Sequence, residues 1–170
     1  KHDLDISGYE IIDTPPTEAA AAARGVGLIH EGKGQVLMKG SLHTDEIMRA
    51  VTAKEGGLRT DRRVSHVFVM DVPAYTETVF VTDAAINIFP DLDAKRDIIQ
   101  NAVDLFNQAG FGTTPRVAIL SAVETVTSKI PSTIEAAALC KMADRKQITG
   151  ALLDGPLAFD NAIDPEAARI

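Results

Sequence analysis

Lys39-Gly40-Ser41-Leu42-His43-Thr44 follows the apolar run Val36-Leu37-Met38 and places a cation, a glycine, hydroxyls and an imidazole ahead of a helical stretch. A strand that turns into a helix through such residues offers backbone N–H groups and a positive helix end to a phosphate or other anion. The same residues equally make an ordinary capped strand-to-helix turn. The phosphate-loop spacing Gly-x-x-x-x-Gly-Lys is absent, and neither Gly25-x-Gly27 nor Gly32-x-Gly34 completes the dinucleotide fingerprint.

Three further segments carry polar groups at the predicted carboxyl ends of strands, where ligands gather in open α/β sheets. In Thr82-Asp83-Ala84-Ala85-Ile86-Asn87, Asp83 and Asn87 either face a cleft together or form an Asx-turn with a surface amide. The hydroxyl-rich stretch from Ser121 to Ser132, with Ser128 and Lys129 in it, is a long loop that ends at a helix start, and such loops tend to carry function. Asp154-Gly155-Pro156-Leu157-Ala158-Phe159-Asp160 sets Asp154 and Asp160 in what reads as a turn after a strand, bracing or lining a site. His2, His30, His43 and His66 have no metal-ligand spacing, so no metal site is expected. Cys140 lies beside an apolar helix face and reads as an inert thiol. No Gly-x-Ser-x-Gly elbow is present.

The elements that must hold these groups alternate between short β-branched runs and helical stretches. Strands are predicted at Tyr9-Glu10-Ile11-Ile12, Val36-Leu37-Met38, Val64 to Met70, Thr78 to Thr82, Val117-Ala118-Ile119-Leu120 and Ala151-Leu152-Leu153. Helices are predicted from Thr17 as N-cap to about His30, from Asp45 to Ala53 with Thr44 or Ser41 as cap, from Asp93 to Ala109, and from Pro131 with Ile134, Ala138 and Met142 facing inward. The connection between the third and fourth strands is too short for a parallel crossover, so that pair is expected to be antiparallel. The whole reads as an α/β layered fold with a mostly parallel sheet. The polar, glycine-bearing residues 57–63 are read as a hinge or linker between a first lobe (1–56) and a second (64–170).

At 170 residues the chain can bury a sizeable core, and 45% hydrophobic with 24% charged residues is the balance of a globular protein. A net charge of −7 argues against general nucleic-acid binding. No apolar stretch is long enough to span a bilayer, and a single cysteine makes a reducing cytoplasm the expected compartment. Lys1-His2-Asp3-Leu4-Asp5 has no signal-peptide pattern. Because the sequence starts without Met, it reads as a piece of a longer polypeptide.

The ordered series Val36 to Thr44, Ser65 to Met70, Thr82 to Asn87, Val117 to Ser121 and Leu153 to Asp160 resembles the phosphate acetyltransferase and phosphate butyryltransferase family along nearly the whole chain. The strings Met-Lys-Gly-Ser and Asp-Gly-Pro-Leu-Ala-Phe-Asp look closer to the butyryltransferase branch. They also resemble the acetyltransferase part of proteins fused to an enoyl-CoA hydratase-like domain, a domain this sequence does not contain.

The resemblance implies an enzyme that moves an acetyl or butyryl group between coenzyme A and inorganic phosphate, with coenzyme A as substrate and no metal or other cofactor. It implies a two-lobed αβα fold related to the isocitrate and isopropylmalate dehydrogenases, and a homodimer. Lys39, Gly40 and Ser41 would bind an anion, His43 and Thr44 would orient their turn, and Asp83 and Asn87 would face the cleft. Ser121, Ser128 and Lys129 would hold the acyl-phosphate or pantetheine end, and Asp154 and Asp160 would brace their loop. The family's catalytic Ser, Arg and Asp are expected beyond residue 170, and its first strand before residue 1. Two other readings compete. An oxidoreductase of the related fold would need a metal-binding carboxylate cluster and a nucleotide-binding segment, and neither is found. A non-catalytic module binding acyl-CoA or acyl phosphate remains open.

Overall fold

The computed structural model describes residues 4–169; His2, the rest of the Lys1-His2-Asp3 start and Ile170 lie outside the described residues. The chain is mixed α/β and divides into two compact units, one ending at Asp61 and the other beginning at Arg62.

The first unit is helical. Helix α1 (Glu18–His30) starts where Thr17 Oγ1 accepts the Ala20 N–H at 3.2 Å, and it buries Ala22 and Val26 against its surroundings. Helix α2 (Thr44–Val51) packs on α1. The N-cap of α2 is His43, so Thr44 is its first helical residue rather than its cap. The end of α2 is closed by Gly57, whose missing side chain matters: a Cβ there would lie 2.3 Å from the Ala53 carbonyl oxygen. His30 Nε2 sits 3.2 Å and 3.1 Å from the Gly56 and Gly57 carbonyl oxygens, so the imidazole donates there.

Two predicted strands of this unit do not form. Tyr9–Ile12 and Val36–Met38 are irregular, and Val36 and Met38 are 85% and 90% exposed instead of buried. A strand satisfies its backbone only through a neighbour, and the first unit has no other strand among its described residues to pair with. Leu37 alone turns inward, onto Gly25 of α1.

In the second unit, β1 (Val67–Met70) and β2 (Val79–Thr82) pair antiparallel, with Val67 opposite Thr82 and Met70 opposite Val79. Helix α3 (Leu92–Gln108) begins at Asp91, whose carboxylate accepts the Ala94 N–H at 2.8 Å. Strand β3 (Arg116–Leu120), helix α4 (Pro131–Asp144) and strand β4 (Leu152–Leu157) form a parallel crossover unit, followed by α5 (Phe159–Ile163) and a 3-10 turn at Ala167–Arg169. Among the described residues there are thus two separate two-stranded ladders, one antiparallel and one parallel, in place of a single mostly parallel sheet. Only β3 and β4 are both paired and joined through a helix, and the strands expected at 9–12 and 36–38 are missing.

The core of this unit is Ile99, Val103, Leu139 and Ile148, with Val117, Ile119 and Leu153 packed against it. Helix α4 turns a slightly different face inward from the one its apolar residues predict. Thr133, Ala136 and Leu139 are buried, Met142 packs on the core, and Ile134 is 47% exposed. The polar Thr133 can be buried because its hydroxyl is fully bonded within the adjoining loop.

Asp154-Gly155-Pro156 is not the turn its composition predicts, for these residues lie inside β4. Between Ala118–Asp154 and Leu120–Leu157 the ladder advances two residues on β3 and three on β4, a bulge that accommodates the donor-less Pro156. Gly155 is required by close approach: a Cβ would stand 2.7 Å from both Ile119 Cβ and the Ile119 carbonyl oxygen. Gly155→Ala is therefore expected to force β4 away from β3 and cost about 1–3 kcal/mol. A lowered urea midpoint with an unchanged slope would bear this out; an unchanged midpoint would refute it.

Candidate functional site

In the first unit the turn before α2 is tied to the start of α1 by one carboxylate. Glu18, in the first turn of α1, accepts the His43 N–H at 3.0 Å and meets His43 Nδ1 at 2.7 and 2.8 Å. The His43 amide first, and the ring second, hold the Glu18 carboxyl below its usual range, while Glu18 raises the His43 imidazole. Lys39 Nζ donates to the Leu42 carbonyl at 3.0 Å and closes the turn, keeping further N–H donors for a ligand. Gly40 has open space where a side chain would stand. The Ser41 and Thr44 side chains make no hydrogen bond among the described residues, and no side chain caps α2. The structure thus brings Lys39, Gly40, Ser41, His43 and Thr44 into one exposed turn at a helix start.

In the second unit, Asp83 follows β2 and turns its carboxylate into its own loop. Its oxygens accept the N–H groups of Ala85 (2.9 Å), Ile86 (3.0 Å) and Asn87 (3.2 Å), and the Asn87 side-chain amide at 2.5 Å. Burial pushes this carboxyl up, but the donors outweigh it and hold it at about 2. Of the two readings for Asp83, the structure builds the Asx-type turn. Such a carboxylate stays ionised at neutral pH and is a poor general base. What it does is fix Asn87, whose Nδ2 also donates to the Val64 carbonyl at 3.0 Å and whose Oδ1 accepts Arg63 Nε at 2.7 Å.

Arg63 is the residue that sequence reasoning passed over, because it closes the polar stretch read as a linker. Its backbone is pinned on both sides: its N–H donates to Asp97 Oδ2 at 2.9 Å, and its carbonyl accepts from Asn101 Nδ2 at 2.8 Å. Asp97, only 8% exposed, is an acid inside the apolar stripe of α3, and that break in the pattern was the available signal.

The loop after β3 is organised by its hydroxyls. Ser121 donates its N–H to the Leu157 carbonyl at 2.8 Å and shares a 2.7 Å hydroxyl contact with Ser132 at the start of α4. Thr133 accepts the Thr127 N–H at 2.9 Å and lies within 3.0 and 2.8 Å of the Thr127 and Ile130 carbonyls. Ser128 and Lys129 are exposed beyond this anchor, and their side-chain polar atoms have no partner among the described residues. Asp154 and Asp160 do not share a loop. Asp154 is an exposed position of β4 that accepts its neighbour's N–H, and Asp160 stands in the first turn of α5. Cys140 is half-buried with Sγ 3.7 Å from the Gly155 carbonyl oxygen, and burial pushes its thiol up. Among the described residues no group of His, Cys, Asp and Glu is arranged to hold a metal, and no helix is long and apolar enough to cross a membrane.

The sequence profile described as phosphate acetyl/butaryl transferase matches residues 9–170. A phosphate acetyltransferase of Rhizobium meliloti is 71% identical over 170 residues, covering 100% of this chain and 53% of that protein. A phosphate butyryltransferase of Clostridium acetobutylicum is 42% identical over 166 residues, covering 98% of this chain and 54% of that protein. The crystal structure of a branched-chain phosphotransacylase from Enterococcus faecalis V583 superposes with a TM-score of 0.83 at 30% identity, covering 99% of this chain and 59% of that one. The chain spans about half the length of the curated relatives it matches.

The Glu18–His43 contact has a pH signature. A raised imidazole adds stability that is complete below the unfolded value of about 6.5 and is lost as pH rises through the folded value. An NMR titration is expected to place His43 above that ordinary value, and Glu18→Gln to bring it back. A His43 titration that Glu18→Gln leaves in place would show that the contact is not made.

Proposed function

The chain belongs to the phosphate acetyl/butyryl transferase family, and we propose on that basis that its protein transfers an acyl group between coenzyme A and inorganic phosphate. A phosphate oxygen attacks the thioester carbonyl, the C–S bond breaks, and the products are acyl phosphate and coenzyme A, whose thiolate takes up a proton. The match of the whole of this chain to about half of a phosphate acetyltransferase carries the proposal, and its higher identity favours acetyl over butyryl as the group moved. A two-lobed dehydrogenase-like architecture, a homodimer, a cytoplasmic location, and residues 57–63 as a hinge or linker between lobes 1–56 and 64–170 belong to the same proposal.

The chemistry asks for donors that bind phosphate and for groups that hold two substrates in line. Lys39, Gly40 and Ser41 are the proposed anion site: an ammonium with donors to spare, a backbone open to close approach, and an unpartnered hydroxyl. His43, clamped by Glu18, and Thr44 at the first position of α2 set the direction of that turn. Asp83 serves by orienting Asn87. Ser121, held by Ser132, and the open side chains of Ser128 and Lys129 are proposed to meet the acyl-phosphate or pantetheine end. Asp154 and Asp160 act locally on their own backbone and are given only a bracing role.

Free-thiol release from acetyl-, propionyl- and butyryl-CoA by the complete gene product is expected to require phosphate and to be fastest with acetyl-CoA. Release without phosphate would instead mean a thioesterase, and the proposal would fall. Lys39→Ala is expected to raise the KM for phosphate or for acyl-CoA on the order of tenfold, the worth of one charge-assisted hydrogen bond. If both constants stay put, Lys39 has no part in binding.

A further inference from the structure

We propose that Arg63 is the anion-holding residue of a small-ligand pocket in the second unit, and that the group it takes is a phosphoryl group. The pocket is a cavity of about 250 Å³ lined by Arg63, Asn87, Ile88, Phe89 and Asp91, among others. Every part of Arg63 except its outer guanidinium edge is fixed. Asp97 holds its N–H, Asn101 its carbonyl and Asn87 its Nε, at 2.9, 2.8 and 2.7 Å. Asn87 is itself fixed, since its amide nitrogen is shared between Asp83 and the Val64 carbonyl, which leaves its oxygen for Arg63. The two Nη groups have no partner among the described residues. A guanidinium held at Nε with its Nη groups open presents a planar fork whose geometry matches a phosphate or carboxylate, at little further entropy cost.

The carboxylates around it do not compete for that fork. Asp83 is occupied by the donors of its own turn and Asp97 by Arg63 N–H and the Arg96 guanidinium; Asp91, which lines the pocket, accepts the Ala94 N–H through one oxygen and forms no ion pair with Arg63. The neighbouring Arg62 is paired with Asp104 at 2.7 Å and is not a second fork of this kind. Beside the cation stand Ile88 and Phe89, 82% and 96% exposed. A cation flanked by open apolar side chains suits a phosphorylated ligand with an apolar or flat portion next to its charge. Two sources of the phosphoryl group fit: inorganic phosphate itself, or a phosphate of coenzyme A. That choice rests on the transferase proposal; the pocket does not.

The test uses the complete gene product with Arg63 intact, Arg63→Gln and Arg63→Lys. Calorimetric titrations with inorganic phosphate, coenzyme A and dephospho-coenzyme A are run beside initial rates of phosphate-dependent thiol release. Arg63→Gln is expected to weaken binding of one phosphoryl ligand on the order of tenfold and to raise its KM by a similar factor, with kcat changed far less. Arg63→Lys is expected to recover only part of the loss, because an ammonium keeps the charge but not the fork. Weakened coenzyme A with unaltered dephospho-coenzyme A assigns the pocket to the 3′-phosphate; weakened inorganic phosphate alone assigns it to the second substrate. The Asp97 and Asn101 contacts are to the backbone of residue 63 and survive both substitutions, and an unshifted thermal melt confirms it. If every affinity and KM stays within error of the parent while turnover is normal, the pocket is refuted and the transferase stands. If the parent binds a phosphoryl ligand through Arg63 but never releases thiol, the pocket stands and the transferase reading falls.

Discussion

The close approach of β4 to β3 at Gly155 and Ile119 is the contact on which the second unit turns. Without a side chain at 155 the strand passes close to Ile119 of β3, and the bulge there absorbs a proline that cannot donate. The same approach delivers the Leu157 carbonyl to the Ser121 N–H, which fixes where β3 ends and the hydroxyl loop begins. From that point Ser121 reaches Ser132, and Thr133 gathers Thr127 and Ile130. Val117, Ile119 and Leu153 then present their side chains to the core that α3 and α4 share. One missing methyl group thus sets both the packing and the loop.

The polar groups of the chain fall into those already satisfied and those left open, and this division says more about a site than residue type does. Asp83, Asp97, Asp91 and Glu18 all bond to backbone N–H groups within their own unit, so each is an anion used for architecture. A net charge of −7 says little about the potential at any one site, which is set by the charges close to it. Among the groups proposed to meet a ligand, the spare donors of Lys39, the Ser41 hydroxyl, the Ser128 and Lys129 side chains and the Nη edge of Arg63 are left open. Three of these five are cations, in keeping with the proposal that they meet a phosphoryl group.

Much of this was legible in the sequence where a local rule and the final environment agree. Thr17 and Pro131 mark helix starts by chemistry that needs nothing beyond a few neighbouring residues, and both helices begin there. The short link between β1 and β2 dictated their antiparallel pairing. Reading failed where a residue served a distant partner. Asp-Gly-Pro is a strong turn signal, yet Gly155 is there for Ile119 on another strand. Val36-Leu37-Met38 has strand composition, but composition cannot supply a neighbouring strand. Thr133 displaced Ile134 from the inner face of α4 because the loop before the helix satisfies its hydroxyl. Arg63 sat unnoticed in a polar run, and only contacts to Asn87, Asp97 and Asn101, all at least 24 residues away in sequence, give it meaning.

Both sets of proposed anion-binding groups are held by contacts inside their own unit. The turn at 39–44 relies on Glu18, and Arg63 relies on residues of β2's loop and α3. On the proposed reading, affinity for a phosphoryl group is a local property of each unit, with the binding groups held in place beforehand. Rate is a different quantity. Transfer between two bound substrates depends on placing a phosphate oxygen against a thioester carbonyl, and that alignment can contribute many orders of magnitude. A protein built this way can lose turnover through a small misplacement while keeping its grip on each ligand, so binding and turnover have to be measured as separate properties.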